Sequence, residues 1–333
     1  MSVKHELIMA TLTKTLSSRM SNLHLRQFDA RRDLSPVADL IELCFRDTLD
    51  PDGKRYLQRM RSIASQPRLL RWAASSAEWS NIPFFGYVWE QDGALVGNAS
   101  LIPYKVQGKR SYLIANVAVH PEYRRQGIAR QLTLQAVQHA HQRQAPSVWL
   151  HVRQENEPAN NLYHELGFRE RARRATWICK DDPLEFPLST DIKIISTRSR
   201  HWEGQRYWLI RNYPPELSWH MSFEVDLFNP GITGSIRRII RQAYIQQWSA
   251  LRGKEWLGSI SWQFSPGYTN LLWLSAPPQA DAQVTRDLLL HARQNTSSKR
   301  PLALDYPAGQ FDAAIQSAGF RCHQTLIWME LLL

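Results

Sequence analysis

The chain has 333 residues, 43% of them hydrophobic and 21% charged, a balance that belongs to a folded protein and excludes extensive disorder. That length holds two ordinary domains, each able to bury a core of its own. The formal charge of +11 suits an anionic partner, yet no basic helix or aromatic RNA-binding motif accompanies it and charged residues interrupt every apolar run, so neither nucleic acid nor membrane is expected as a partner.

Residues 1–21 read as an N-terminal extension, because the apolar run from Leu7 to Ala10 is interrupted too early for a secretory signal. Leu23 to Phe28 alternates apolar and polar residues as a half-buried strand does. A helix is then expected with Ser35 as its cap, Pro36 in its first turn, and Val37, Leu40, Ile41 and Cys44 on one face. A second helix is predicted between Lys54 and Trp72. Two strands, Phe84 to Glu90 and Ala94 to Tyr104, flank Asp92-Gly93, a hairpin turn whose residues tolerate positive φ. Further strands are expected at Tyr112–Val119, Val148–Val152 and Arg174–Lys180, with helices at Gly127–Arg143 and Glu157–Leu166. The predicted order is strand, two helices, three strands, helix, strand, helix, strand, an α/β (α+β) fold with a mixed central sheet flanked by helices. The two prolines and acidic run of Asp181–Pro187 suit a linker, placed at 181–190, after which a second lobe covers 191–333.

The chemistry concentrates in Asn116–Arg130, where an apolar strand runs into a loop that opens a helix. The first amides of a helix lack internal partners and carry the positive end of its dipole, so they attract anions. Backbone amides from Gln126 through Gly127, Ile128 and Ala129 to Arg130 would hold a pyrophosphate, with Arg124, Arg125 and Arg130 adding charge. Gly127 has no side chain to block approach, and Ala129 has almost none.

This segment resembles the acyl-CoA signature of the GNAT superfamily: Arg or Gln, two residues, Gly, one residue, then Gly or Ala, met here by Arg124, Gly127 and Ala129. A second block, Asn156–Phe168, is similar to the family's downstream block, with Asn156, Ala159, Leu162-Tyr163 and Gly167-Phe168 at its intervals. The resemblance spans about Leu23 to Lys180 and makes 22–180 the expected GNAT domain. It implies acetyl-CoA as the cofactor, with Asn156 on the pantetheine arm, Ala159 beside it, and Tyr163 near the coenzyme sulfur as general acid. The amine of a small-molecule or peptide acceptor would attack the thioester directly, and a backbone N–H of Val117, Ala118 or Val119 would stabilise the oxyanion. No carboxylate occurs in Tyr112–Asn116, where some members of the family place a base. A water chain, Glu78 or Glu90 remains open for that role, and His120 and His151 read as structural. A non-catalytic acyl-CoA sensor or interaction module is the alternative function, one that would have no use for Tyr163.

Trp248–Trp262 repeats the pattern of Val88–Ser100, and Ala318-Gly319-Phe320-Arg321 repeats Leu166-Gly167-Phe168-Arg169, which marks an internal repeat. Aligning Gly319 with Gly167 sets an offset of 152, which puts Ile315 at Tyr163, Ala308 at Asn156, Ala276 at Arg124, Gln279 at Gly127 and Asp281 at Ala129. The second lobe thus reads as a degenerate, catalytically silent GNAT-like fold. Three dispersed cysteines indicate neither disulfides nor a metal site and suit a reducing cytoplasm. Two fused lobes fit a monomer, with a homodimer also open.

Overall fold

A computed structural model describes residues 24–66, 68, 70, 84–106, 108–180, 189–221, 223–296 and 300–333. The expected extension at 1–21, Glu78, residues 181–188 of the linker and the end of the helix expected to reach Trp72 lie outside them. The chain forms two compact units: one takes the described residues up to Arg171 and is completed by Trp328–Leu333, and the other runs from Ala172 to Ile327.

In the first unit the order is β1 (Leu25–Gln27), α1 (Ala30–Phe45), α2 (Pro51–Ala64), β2 (Gly86–Gln91), β3 (Ala94–Val106), β4 (Lys109–Val119), α3 (Ile128–Gln142), β5 (Ser147–Arg153), α4 (Glu157–Glu165) and the start of β6 (Arg169–Cys179). Strands β1 to β5 lie side by side in that sequence, antiparallel except for the parallel β4–β5 pair. The β2–β3 hairpin closes through Asp92 (φ 52°) and Gly93 (φ 76°), the two positive dihedrals that a two-residue turn requires.

Helix α1 starts five residues before the expected Ser35 cap. Asp29 caps it by accepting from the Arg31 amide at 3.0 Å, and Asp33, buried and paired with Arg26 at 2.6 Å, accepts from the Asp29 amide at 2.7 Å. These charge-assisted bonds to the first turn outweigh Pro36, which the helix carries inside it. Val37, Leu40 and Ile41 are buried as the apolar spacing implies. Helix α2 buries Leu57, Met60 and Ile63, and its Arg61 reaches Asp39 of α1 at 2.7 Å.

The second unit takes the rest of β6 and then β7 (Lys193–Ser196), α5 (Trp202–Asn212), α6 (Pro215–Ser218), α7 (Ile232–Arg241), β8 (Ile245–Arg252), β9 (Glu255–Gln263), β10 (Asn270–Ser275), α8 (Ala282–Asn295), β11 (Leu302–Pro307), α9 (Asp312–Ser317) and most of β12 (Arg321–Leu332). Its strands lie in the order β6-β11-β10-β9-β8-β7, and along the chain it ends on the same succession of three strands, helix, strand, helix, strand. The units part inside β6, not in the linker at 181–190, because Ala175, Trp177 and Cys179 are buried in the second unit's core with Leu272, Trp273, Leu304 and Phe320. The expected domains 22–180 and 191–333 follow the sequence repeats; the last strand of each repeat crosses a unit boundary. Among the described residues no helix is long and apolar enough to cross a membrane.

Candidate active site

Strands β4 and β5 pair only over Tyr112–Ile114 and Val148–Leu150, although β4 continues to Val119 and β5 to Arg153. Beyond those pairs the two strands leave an unladdered crevice, and the backbone N–H groups of β4 on that side are left for another acceptor. The register between β3 and β4 also shifts there: Asn98 faces Ala118 and Ser100 faces Ala115, so Ala99 alone stands opposite Asn116 and Val117. That is a β-bulge, and its first residue, Asn116, has φ 50°. Val117, Ala118 and Val119 thus sit on the bulged edge of the crevice.

At the end of β4 the Val119 carbonyl accepts from Arg124 Nε at 3.2 Å and from Cys44 Sγ at 3.3 Å, which ties the loop and α1 to one oxygen. Burial pushes the Cys44 thiol up, partly offset by Arg124. The loop then places Arg125 at φ 63° and Gly127 at φ 80°, and Gly127 is the N-cap of α3. A Cβ on Gly127 would meet no atom within 4 Å, so the head of α3 is open at this residue. The residues fit a pyrophosphate: a glycine-headed helix terminus with free donors and an unobstructed approach. Gly97 of β3 lets that helix head approach the sheet, since a Cβ there would come within 2.8 Å of Ile128 and 3.0 Å of Leu132. Of the expected cations, Arg130 is ion-paired with Glu165, and Arg124 is exposed with its Nε on the Val119 carbonyl.

Past β5, Asn156 caps α4 by accepting from the Ala159 amide at 3.3 Å, which leaves its Nδ2 as the atom able to face a pantetheine chain. Tyr163 is buried on α4, its ring edge-on to Phe168 at 6.0 Å, and its hydroxyl takes no partner among the described residues. Burial pushes its phenol up, so it holds its proton throughout the neutral range.

Glu90 is engaged elsewhere, accepting from Arg26 at 2.7 Å and Arg32 at 3.3 Å beside β1. His120 packs edge-on to Tyr123, and His151, exposed on β5 just beyond the last pair, lies 4.9 Å from the Trp328 ring. Three residues went unsingled in the sequence: Asn98 and Ser100, buried at the bulge, and the half-buried Tyr56 of α2, whose hydroxyl is buried near Asn116 and pushed up by that burial. Asn116 in mid-strand was their one signal, since asparagine tolerates the left-handed region.

In the second unit the same place is closed. Strand β10 pairs with β9 in unbroken register from Leu271 to Ser275, without a bulge, and with β11 only up to Leu272–Leu304. Just beyond, the Leu274 N–H donates to the Tyr213 hydroxyl at 3.0 Å, while Asn212 Nδ2 lies 3.3 Å from the carbonyls of both Leu274 and Ala276. Arg174 seals the network, paired with Asp305 and lying 5.2 Å over the Tyr213 ring. Asp281, not a glycine, caps α8, accepting from Gln283 at 2.9 Å. It therefore corresponds to Gly127 and not to Ala129: the offset of 152 holds at Gly319-Phe320 but grows by two at the helix head, where the bulge and loop lengths differ.

Residues 42–168, within the first unit, match the model of the Acetyltransferase (GNAT) family. Over 70 residues it is 37% identical to the ribosomal protein bS18-alanine N-acetyltransferase of Escherichia coli strain K12, covering 21% of this chain and 47% of that protein. Over 99 residues it is 34% identical to peptidyl-lysine N-acetyltransferase YiaC of the same strain, covering 28% and 60%. The matched stretch thus spans about half the length of these curated relatives. A GCN5-related N-acetyltransferase from Sphaerobacter thermophilus shares the fold over 92% of this chain and 95% of its own, with TM-score 0.57 and 12% identity. The likeness in fold therefore covers both units, in keeping with a tandem arrangement.

Proposed function

We propose that the chain is an acetyl-CoA-dependent N-acetyltransferase that uses the first unit alone and acts on a primary amine, with a peptide or protein amine as the leading acceptor class. The observation that carries this reading is the conjunction at the end of β4 of a bulge, a crevice and the open Gly127 cap. The acceptor class rests on the names of the two relatives, both acetyltransferases of protein amines.

Bound acetyl-CoA supplies an activated thioester. The amides at the head of α3 and the Asn156 side chain hold its pyrophosphate and pantetheine. A free N–H of Val117, Ala118 or Val119 takes the charge that develops on the carbonyl oxygen as the neutral amine attacks. The new C–N bond forms and the C–S bond breaks; Tyr163 gives its proton to the departing sulfur and is reprotonated through solvent by the proton that the attacking nitrogen loses on becoming an amide. A phenol that burial keeps protonated is suited to that donation. No base is assigned: Glu90 is held by Arg26 and Arg32, and Glu78 lies outside the described residues. The test is a thiol-release assay with acetyl-CoA against a panel of peptides bearing free N-terminal or lysine amines. Turnover with any of them supports the reading, and acetyl-CoA uptake without turnover would make the protein a sensor instead.

A further inference from the structure

We infer that Asn98 is a positioning residue for this reaction, holding the β4 bulge open with its side-chain amide; the inference rests on the proposed acetyl transfer. Asn98 is 1% exposed. Its Nδ2 donates to the Asn116 carbonyl at 2.9 Å and lies 3.3 Å from Ser100 Oγ, which also lies 3.4 Å from Asn116 Nδ2. Asn116 adopts φ 50°, a conformation that a residue with a Cβ takes reluctantly and asparagine tolerates better than most. In a regular antiparallel pair its carbonyl would join the β3–β4 ladder. The bulge removes it from the ladder, and a part-buried carbonyl without a partner is unfavourable, so the Asn98 amide is what makes the bulged arrangement stable.

The chain contains its own control. The second repeat has the same strands in the same order, with Ser259 and Ser261 on β9 and no asparagine side chain reaching β10 from it, and there β10 runs without a bulge. The bulge accompanies the asparagine pair, and it sits in the segment Val117–Val119 whose N–H groups must point at the reacting carbonyl. An amide displaced by a fraction of an ångström loses most of its effect on a developing charge while hardly altering the grip on distant phosphates.

The test compares Asn98→Leu, Asn116→Val and Asn116→Gly with the parent chain, measuring kcat for the best peptide amine, acetyl-CoA affinity by calorimetry, and the crystal structure of Asn98→Leu. The expected result is a fall in kcat of about 10–100-fold for Asn98→Leu with acetyl-CoA affinity changed by less than about threefold. Asn116→Gly, which accepts positive φ, should turn over at least about tenfold faster than Asn116→Val. In the Asn98→Leu structure residue 116 should leave the left-handed region. Turnover within about twofold of the parent, a parallel loss of turnover and acetyl-CoA affinity, or a crystal structure that keeps the bulge would each overturn the inference. A parent that takes up no acetyl-CoA would overturn the proposed function, and the Asn98→Leu structure would still decide what holds the bulge.

Discussion

Phe168 donates its backbone N–H to the Tyr163 carbonyl across 3.0 Å, and Phe320 makes the same bond to Ile315 at 3.2 Å. The two helix ends are equivalent, so the repeats differ at this position by a single phenol. Tyr163→Phe should leave acetyl-CoA affinity unchanged and lower kcat by roughly 10²–10⁴-fold, the range for removal of a general acid. Ile315→Tyr should restore nothing, because the crevice of the second unit is filled. Steady-state kinetics with calorimetry on both variants check this, and a Tyr163→Phe protein with parental kcat would remove the assignment.

Gly127→Ala combines two penalties. At φ 80° a Cβ is disfavoured by about 1–2 kcal/mol, and the methyl would occupy space that is open at the head of α3. Acetyl-CoA affinity should fall by at least about tenfold with only a few degrees lost in Tm. Equal affinity in parent and variant would mean that phosphates do not sit there.

Much of the first unit is legible in the residues themselves. Asp92-Gly93 announces its hairpin because only positive φ closes a two-residue turn, and Gly127 announces a helix head because nothing else in Arg124–Arg130 favours φ 80°. The start of α1 was hidden because Asp29 and Asp33 cap it through an arginine from another strand, a tertiary arrangement that overrides the local Ser35-Pro36 signal. The division inside β6 was hidden for a related reason: Ala175, Trp177 and Cys179 are equally apolar whichever core receives them. The closed second crevice was legible only as missing residues; that Tyr213 and Asn212 fill it depends on side chains distant in sequence.

That closure predicts where stability resides. Tyr213→Phe leaves the buried Leu274 N–H without its acceptor, which should cost about 1–3 kcal/mol. Thermal unfolding should show the loss, while acetyl-CoA affinity and turnover in the first unit stay at parental values. An unchanged melting profile would mean that the bond contributes nothing.

Acid should also act on the second unit. Burial, with a smaller contribution from Arg174, lowers His220 from its usual 6.5 to about 4. The folded state thus prefers the neutral ring, so this contribution to stability is intact above pH 6.5 and erodes as pH falls toward 4, by much less than the full shift because the residue as a whole is exposed and solvent screens its charge. His220→Gln should flatten the dependence of Tm on pH in that window. A parallel slope in parent and variant would contradict it.

The most direct measurement is a calorimetric titration of the intact chain with acetyl-CoA. One site per chain, abolished or weakened by at least about tenfold in Gly127→Ala and unaffected by Asp281→Asn, is the predicted result. Two sites, or a single site that ignores Gly127 and responds to Asp281, would contradict the assignment of the coenzyme to the head of α3.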